Sequence, residues 1–182
     1  MINNSRDIYP CDTLAIQDIK NRLCYVTQND YREEMNLYWD VIEKGYEFPD
    51  ERCISLTTER CTCPEALFQP QLLGIDSNGI PELILESINE CCSDIRKLMR
   101  ENIVLSGGSV TFQGFNQRLS NELTKASPNT NFKILHDEEI NLCTASWSGA
   151  SLISSVGIVD EMNFKKSDYQ ESGTSIIRKI WK

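Results

Sequence analysis

Apolar positions along this chain recur mostly at helical spacing, with short alternating runs between the helices. Ile16, Ile19 and Leu23 fall on one helical face, which predicts a helix reaching about Leu23, with Asp12 or Thr13 as its cap. Tyr31, Met35, Tyr38 and Ile42 share another face and predict a second helix to about Glu43. Tyr46 to Leu56 alternates on both sides of Pro49-Asp50, a pair suited to a turn, and predicts a hairpin. Thr57 to Cys63 predicts a short helix stopped by Pro64. Phe68 to Gly74 reads as an apolar surface loop. Pro81 suits the first turn of the next helix, whose buried stripe is expected to be Leu83, Ile84, Ser87, Ile88 and Cys91. A further short helix is expected from Ser93 to about Arg100.

The second half of the chain changes in character. Ile103 to Ser106 is a brief β-branched apolar run, hence a buried strand, ended by Gly107-Gly108. A helix is expected from Gly114-Phe115, burying Phe115, Leu119 and Leu123, and Phe132 to Leu135 is the next strand. Strand, glycine turn, helix and strand in that order make a parallel crossover. Ala145 to Val156 predicts a helix rich in small residues, and Phe164 to Glu171 and Ser175 to Lys182 predict two short terminal ones. The expected fold class is therefore α/β, predominantly helical, with a short parallel strand pair and a small hairpin. Trp147, Leu152, Ile153, Val156, Ile158, Met162, Ile176, Ile177 and Trp181 crowd more apolar surface into the last segment than one small lobe covers. Either they form a self-contained helical subdomain or, the favoured expectation, they meet another piece of chain.

Composition narrows the function. The chain has 182 residues, 40% hydrophobic and 25% charged, with a formal net charge of -9. That charge excludes the basic face by which proteins displace phosphate counterions from nucleic acid. No apolar run approaches the roughly 20 residues of a membrane span. Met1 to Asp7 lacks the apolar core of a signal peptide, so the 8 cysteines are expected to be reduced thiols and mostly small buried hydrophobes. Cys61-Thr62-Cys63 and Cys91-Cys92 lack the spacers of zinc knuckles.

Little in the chain suits bond-making chemistry. The single histidine, His136, stands beside Asp137, Glu138 and Glu139 and reads as a solvated loop residue. The Glu33-Glu34 pair reads as a solvated face too. No serine or cysteine has a sequence-evident base. The best candidate is Leu105-Ser106-Gly107-Gly108-Ser109, between a strand and a helix. Glycines there leave room for a flat ring or a phosphate, and backbone amides with a following helix N-terminus favour electron-rich groups. An ordinary tight turn is the competing reading, since no Walker lysine follows.

Several motifs, in one order along the chain, give a resemblance. Asp18-Ile19-Lys20-Asn21-Arg22-Leu23-Cys24-Tyr25-Val26, Tyr46-Glu47-Phe48-Pro49-Asp50, Cys63-Pro64-Glu65-Ala66-Leu67-Phe68-Gln69-Pro70, Asp94-Ile95-Arg96-Lys97, Val104-Leu105-Ser106-Gly107-Gly108, Trp147-Ser148-Gly149-Ala150-Ser151 and Tyr169-Gln170-Glu171-Ser172-Gly173 resemble segments of the actin family. The resemblance implies an incomplete actin-like fold of the ribonuclease-H-like ATPase kind. On it, residues 1–76 would be most of subdomain 4, 77–143 the helical part of subdomain 3, and 144–182 the C-terminal piece of subdomain 1. It also implies that this half grips the nucleoside of ATP or ADP. Lys20 matches the family's lysine near base and ribose, Gly107, Gly108 and Ser109 its nucleotide-contacting turn, and Phe112 its aromatic residue beside adenine. Leu152, Ile153, Val156, Ile158 and Met162 match the wall of the cleft that receives partner helices, among them those of actin-binding proteins.

The sequence departs from the family at informative places. Asn21 stands for the ribose-binding glutamate, Gln17 for a nearby arginine, and Cys143 near the lysine on the other side of adenine. The loop at Asp137 to Asn141 and the closing Arg178 to Lys182 differ as well, as in a divergent actin or actin-like protein. The family's phosphate hairpins, metal-anchoring aspartates and water-positioning glutamine have no counterpart here. Magnesium and turnover are thus expected only through a missing N-terminal half, with no hydrolysis by this chain alone. The chain is read as a fragment, a truncated product or one part of a two-chain protein. The expected role is the adenosine side of a nucleotide cleft in a cytoplasmic, cytoskeletal protein. A scaffold or binding subunit without turnover is the alternative. An unrelated α/β enzyme built on the glycine turn lacks any catalytic set.

Overall fold

The helical spacing of Ile16, Ile19 and Leu23 yields α1 (Thr13–Leu23), of which Ile19 is buried. The computed structural model describes residues 13–29, 31–32, 43–135, 141–157 and 163–176. Asp12 as a cap, most of the expected 31–43 helix, His136 with its acidic neighbours 137–139, and the terminal helix beyond Ile176 lie outside the described residues.

The hairpin forms as its alternation predicts. Strands β1 (Lys44–Glu47) and β2 (Cys53–Leu56) pair antiparallel, with Tyr46 opposite Ile54. The turn closes by Phe48 N–H donating to Arg52 O at 2.8 Å. Asp50 accepts from Arg52 at 2.6 Å.

Helix α2 (Glu59–Glu65) departs from expectation, because Pro64 lies inside it instead of stopping it. Proline removes one helical N–H, which would have bonded Arg60 O. That carbonyl instead accepts the N–H of Tyr25 at 3.1 Å, so the loss is made good by a distant strand-like segment. The expected loop after it contains a 3₁₀ turn, Pro70–Leu73, capped by Gly74 in the left-handed region.

Helix α3 (Ile80–Glu90) starts with proline at its first positions, but its stripe is rotated from the expected one. Pro81 and Ile88 are buried, and Ile80, Ile84 and Leu85 pack on the core, whereas Leu83 and Ser87 face out. Helix α4 (Ser93–Glu101) follows. The crossover then forms with shorter strands than its apolar runs suggested. β3 (Ile103–Val104) pairs parallel with β4 (Ile134–Leu135), Ile103 opposite Ile134. Val104 is 70% exposed, so burial resumes only at Leu105.

Between the strands, α5 (Phe115–Ala126) is the centre of the core. Phe115, Leu119 and Leu123 are almost wholly buried against Cys24, Val26, Phe68, Leu105 and Phe112. Each such side chain contributes about 1.5–3 kcal/mol of burial. Gly114 precedes the helix with φ at +86°, and a Cβ there would meet Val26 O at 2.4 Å. Only glycine lets the Tyr25–Gln28 segment lie against the start of α5, where Val26 N–H donates to Gln113 O at 2.8 Å.

Helix α6 (Ala145–Ser155) is exposed almost throughout, and α7 (Lys166–Ser172) leads into a 3₁₀ turn, Gly173–Ile176. The cysteines contradict the expectation of burial. Of those described, Cys24 and Cys61 are buried, Cys91 is half-buried, and Cys53, Cys63, Cys92 and Cys143 are exposed.

Candidate functional site

The glycine turn and one face of α1 together make a cleft of about 350 Å³, lined by Thr13, Ile16, Gln17, Lys20, Asn21, Gly108, Ser109 and Phe112. This volume is at the lower end of the range for small-molecule sites, about 300–1,000 Å³. Every α1 contribution follows from helical periodicity, since positions 13, 16, 17, 20 and 21 share a face. Sequence reasoning missed Thr13 as a member and took Ile16 for core. That spacing could have found both, and Ile16 is 37% exposed.

On the other wall the turn is held from several sides. Gly107 has φ +104° and ψ 165°, a conformation that side chains exclude. Its N–H donates to Leu142 O at 2.9 Å, and the hydroxyls of Ser106 and Ser146 are 3.1 Å apart. Gly107 thus shapes the wall without lining the cleft. No atom lies within 4 Å of where a Cβ on Gly108 would stand, so its backbone is open to a ligand. The expected helix N-terminus does not follow directly. A 3₁₀ turn, Gly108–Thr111, comes first, closed by Thr111 Oγ1 donating to Gly108 O at 2.6 Å. Phe112 is only 7% exposed and lends the cleft an edge of a ring otherwise committed to the core.

Lys20, Gly108, Ser109 and Phe112 are therefore brought together, Gly107 supports them, and Asn21 and Gln17 join them. Cys143 is not in the lining; its N–H donates to Asn141 Oδ1 at 3.0 Å. The lining offers one cation, two amides, two hydroxyls, open backbone and two apolar flanks. Among the described residues no group of three His, Cys, Asp or Glu side chains is placed to hold a metal ion.

Between α2 and α5 lies a polar cluster that sequence reasoning missed. Arg118, on the apolar face of α5, donates to Glu65 Oε1 at 2.8 Å and Oε2 at 3.1 Å, with the two side chains 5% and 0% exposed. It also donates to Thr27 O at 2.9 Å, Asn29 O at 3.0 Å and Glu122 Oε1 at 2.8 Å. Burial alone would lower the Arg118 pKa, but the bonds to Glu65 and Glu122 outweigh it and hold the group charged. The hint was an arginine one position before Leu119, within the stripe.

The expected partner-binding residues stand apart from this cleft. On α6, Leu152 is 66% exposed and Val156, just after it, 64%, with Ile153 and Trp147 also exposed. Ile158 and Met162 lie outside the described residues.

A mostly helical chain with two small sheets is consistent with a partial actin-like fold. The family model named Actin matches residues 9–182. The chain belongs to the actin family. No helix among the described residues is long and apolar enough to cross a membrane.

Proposed function

We propose that this chain supplies the adenosine side of an actin-type nucleotide cleft and does not hydrolyse ATP by itself. The observation that carries the reading is the meeting of Lys20 with Gly108, Ser109 and Phe112 around one cleft of about 350 Å³. Each group suits part of a nucleoside. Ile16 and the Phe112 edge flank a flat ring, and Asn21, Gln17 and Ser109 offer donors and acceptors to ribose hydroxyls. Lys20 supplies the positive charge that an α-phosphate prefers.

In this reading, 1–76, 77–143 and 144–182 are parts of subdomains 4, 3 and 1. The β3–α5–β4 crossover belongs to a ribonuclease-H-like half. Phosphate clamp, magnesium and turnover come from an N-terminal actin-like half, and other actin-like subunits in the cytoplasmic cytoskeleton are further partners. Titration of the chain with a fluorescent ATP analogue tests the reading. Binding that weakens about tenfold or more on Lys20→Ala is expected, the loss of a charge-assisted bond being worth about 1.5–3 kcal/mol. Steady phosphate release by the chain alone, or equal affinity in the variant, contradicts it.

A second reading, a scaffold or binding subunit without turnover, is favoured by the exposed apolar face of α6. Substituting Ile153→Asp separates it from the first. Loss of partner binding with nucleotide affinity and fold intact supports the scaffold reading, and intact partner binding opposes it.

A further inference from the structure

Asn78 is the only asparagine of the sequence that is followed by glycine. A glycine there leaves the next amide nitrogen unshielded, because no Cβ stands beside it. The pair lies between the 3₁₀ turn capped by Gly74 and the start of α3, with Asn78 exposed. Gly79 is the N-cap of α3, with φ −74° and ψ 172°, and its N–H makes no hydrogen bond among the described residues. Its neighbours are engaged. Asn78 Nδ2 donates to Glu86 Oε1, from the second turn of α3. Ser77 Oγ donates to Asn78 O at 3.4 Å. Ile80 gives its N–H to Leu67 O at 3.0 Å and packs on the core. A Cβ on Gly79 would stand 2.0 Å from Phe68 O, so packing admits only glycine at this position.

We propose that Asn78-Gly79 is a self-modification site, at which the Gly79 amide nitrogen closes on the Asn78 carboxamide and expels ammonia, and that Glu86 restrains it. Asparagine is a thermolabile residue, and this setting favours its loss. The attacking N–H has no bond to break first. The bond from Ser77 draws electron density toward the carbonyl of the same peptide, which makes that N–H more acidic. Negative charge developing on the nitrogen lies at the N-terminus of an 11-residue helix, the end that favours anions. Glu86 acts the other way. Its bond fixes the orientation of the carboxamide, and its charge opposes a second negative charge nearby. Because packing keeps glycine at 79, only a change at 78 removes the reactive pair.

The chemistry balances with water alone. Solvent base takes the Gly79 amide proton, and the bond from that nitrogen to Asn78 Cγ forms. The Cγ–Nδ2 bond then breaks as Nδ2 gains a proton, so ammonia leaves and a cyclic imide remains. Water opens the imide at either carbonyl. Attack at Cγ breaks the new bond and gives aspartate. Attack at the main-chain carbonyl breaks the original peptide bond and gives isoaspartate, with the chain now running through Cγ. Asparagine and water thus give aspartate or isoaspartate and ammonia, and nothing is oxidised or reduced. Either product loses the donor to Glu86 and sets a second carboxylate beside it. None of this depends on the nucleotide reading.

The test incubates the full chain in warm, mildly alkaline buffer, follows ammonia release, and maps every asparagine peptide by mass spectrometry. Position 78 should convert ahead of all other asparagines and yield both aspartate and isoaspartate, the latter labelled by an isoaspartyl methyltransferase. Asn78→Gln, at an exposed position, should abolish the early ammonia. Glu86→Ala, also at an exposed position, should convert about two- to tenfold faster, as expected from removing one exposed hydrogen bond. Asn78 that stays intact while other asparagines convert overturns the site. A conversion rate in Glu86→Ala no faster than in the unaltered chain overturns the restraint.

Discussion

Replacing Arg118 with methionine should destabilise the chain more than its place on one helix face suggests. The substitution keeps the aliphatic stem beside Phe68 and removes only the charged fork, whose centre lies 5.1 Å from that ring. Glu65, with no exposed side-chain surface, then loses both bonds from the Arg118 guanidinium, while its bond from Gln69 Nε2 at 2.9 Å stays. Breaking one partner of a buried pair costs about 3–5 kcal/mol, mostly from the uncompensated charge left behind. The Thr27 carbonyl loses its Arg118 donor as well, while Asn29 O keeps the Thr27 hydroxyl at 2.9 Å. Set against the 5–15 kcal/mol that holds an ordinary domain, about 4 kcal/mol is a large fraction. With a urea slope of about 2 kcal/mol per molar, the unfolding midpoint should fall by about 2 M. The double variant Arg118→Met with Glu65→Leu should recover part of that loss, since the Arg118–Glu65 charges are gone together, but not all, since the Thr27 carbonyl loses the Arg118 bond. Urea titration by circular dichroism decides it. A loss under about 1 kcal/mol in the single variant would refute the reasoning, because Glu65 would then be reached by water or protonated at little cost.

Gly107→Ala should cost about 1–3 kcal/mol even though open space surrounds it, because its backbone conformation is essentially restricted to glycine. Gly108→Ala, at an ordinary φ, should leave thermal stability nearly unchanged, and equal losses at the two positions would be inconsistent with this. Burial raises the Glu122 pKa, but bonds from Arg118 and Lys125 outweigh it and hold the carboxyl below its ordinary 4.5. Its folded-state value is depressed, so its stabilisation is present above pH 4.5 and is lost as pH falls through the lower folded value. The stability gap between the chain and Glu122→Gln should therefore shrink on acidification below 4.5, and a gap that stays constant in denaturant titrations argues against the bond.

Local periodicity carried much of the fold. Phe115, Leu119 and Leu123 recur at helical spacing and became the core, and Pro49-Asp50 between alternating arms became the hairpin. What escaped depended on partners distant in sequence. Pro64 could remain in a helix because Tyr25 took over the freed carbonyl, and no local pattern reports that. Leu83 and Leu85 are both apolar, and which of them packs inward is fixed by the α5 surface, not by the helix itself. Ile103 to Ser106 looked like a longer buried strand, but strand pairing holds only two residues of it. The Arg118–Glu65 pair was hidden because two charged residues on separate helices read as solvated until the fold brings them together. In the cleft, the glycine turn was visible as a candidate from its own residues. Lys20 entered through resemblance alone, while Thr13 and Ile16 share its helical face and were open to discovery.

The central claim is that the 13–21 face of α1 and the turn at Ser106 to Gln113 form one adenosine site. Photolabelling the chain with an azido-adenine nucleotide, followed by peptide mapping, tests it most directly. Label on peptides from those two segments, displaced by excess unmodified ATP and reduced in Lys20→Ala, is the predicted result. Label spread over other segments, or label that ATP does not displace, would contradict it.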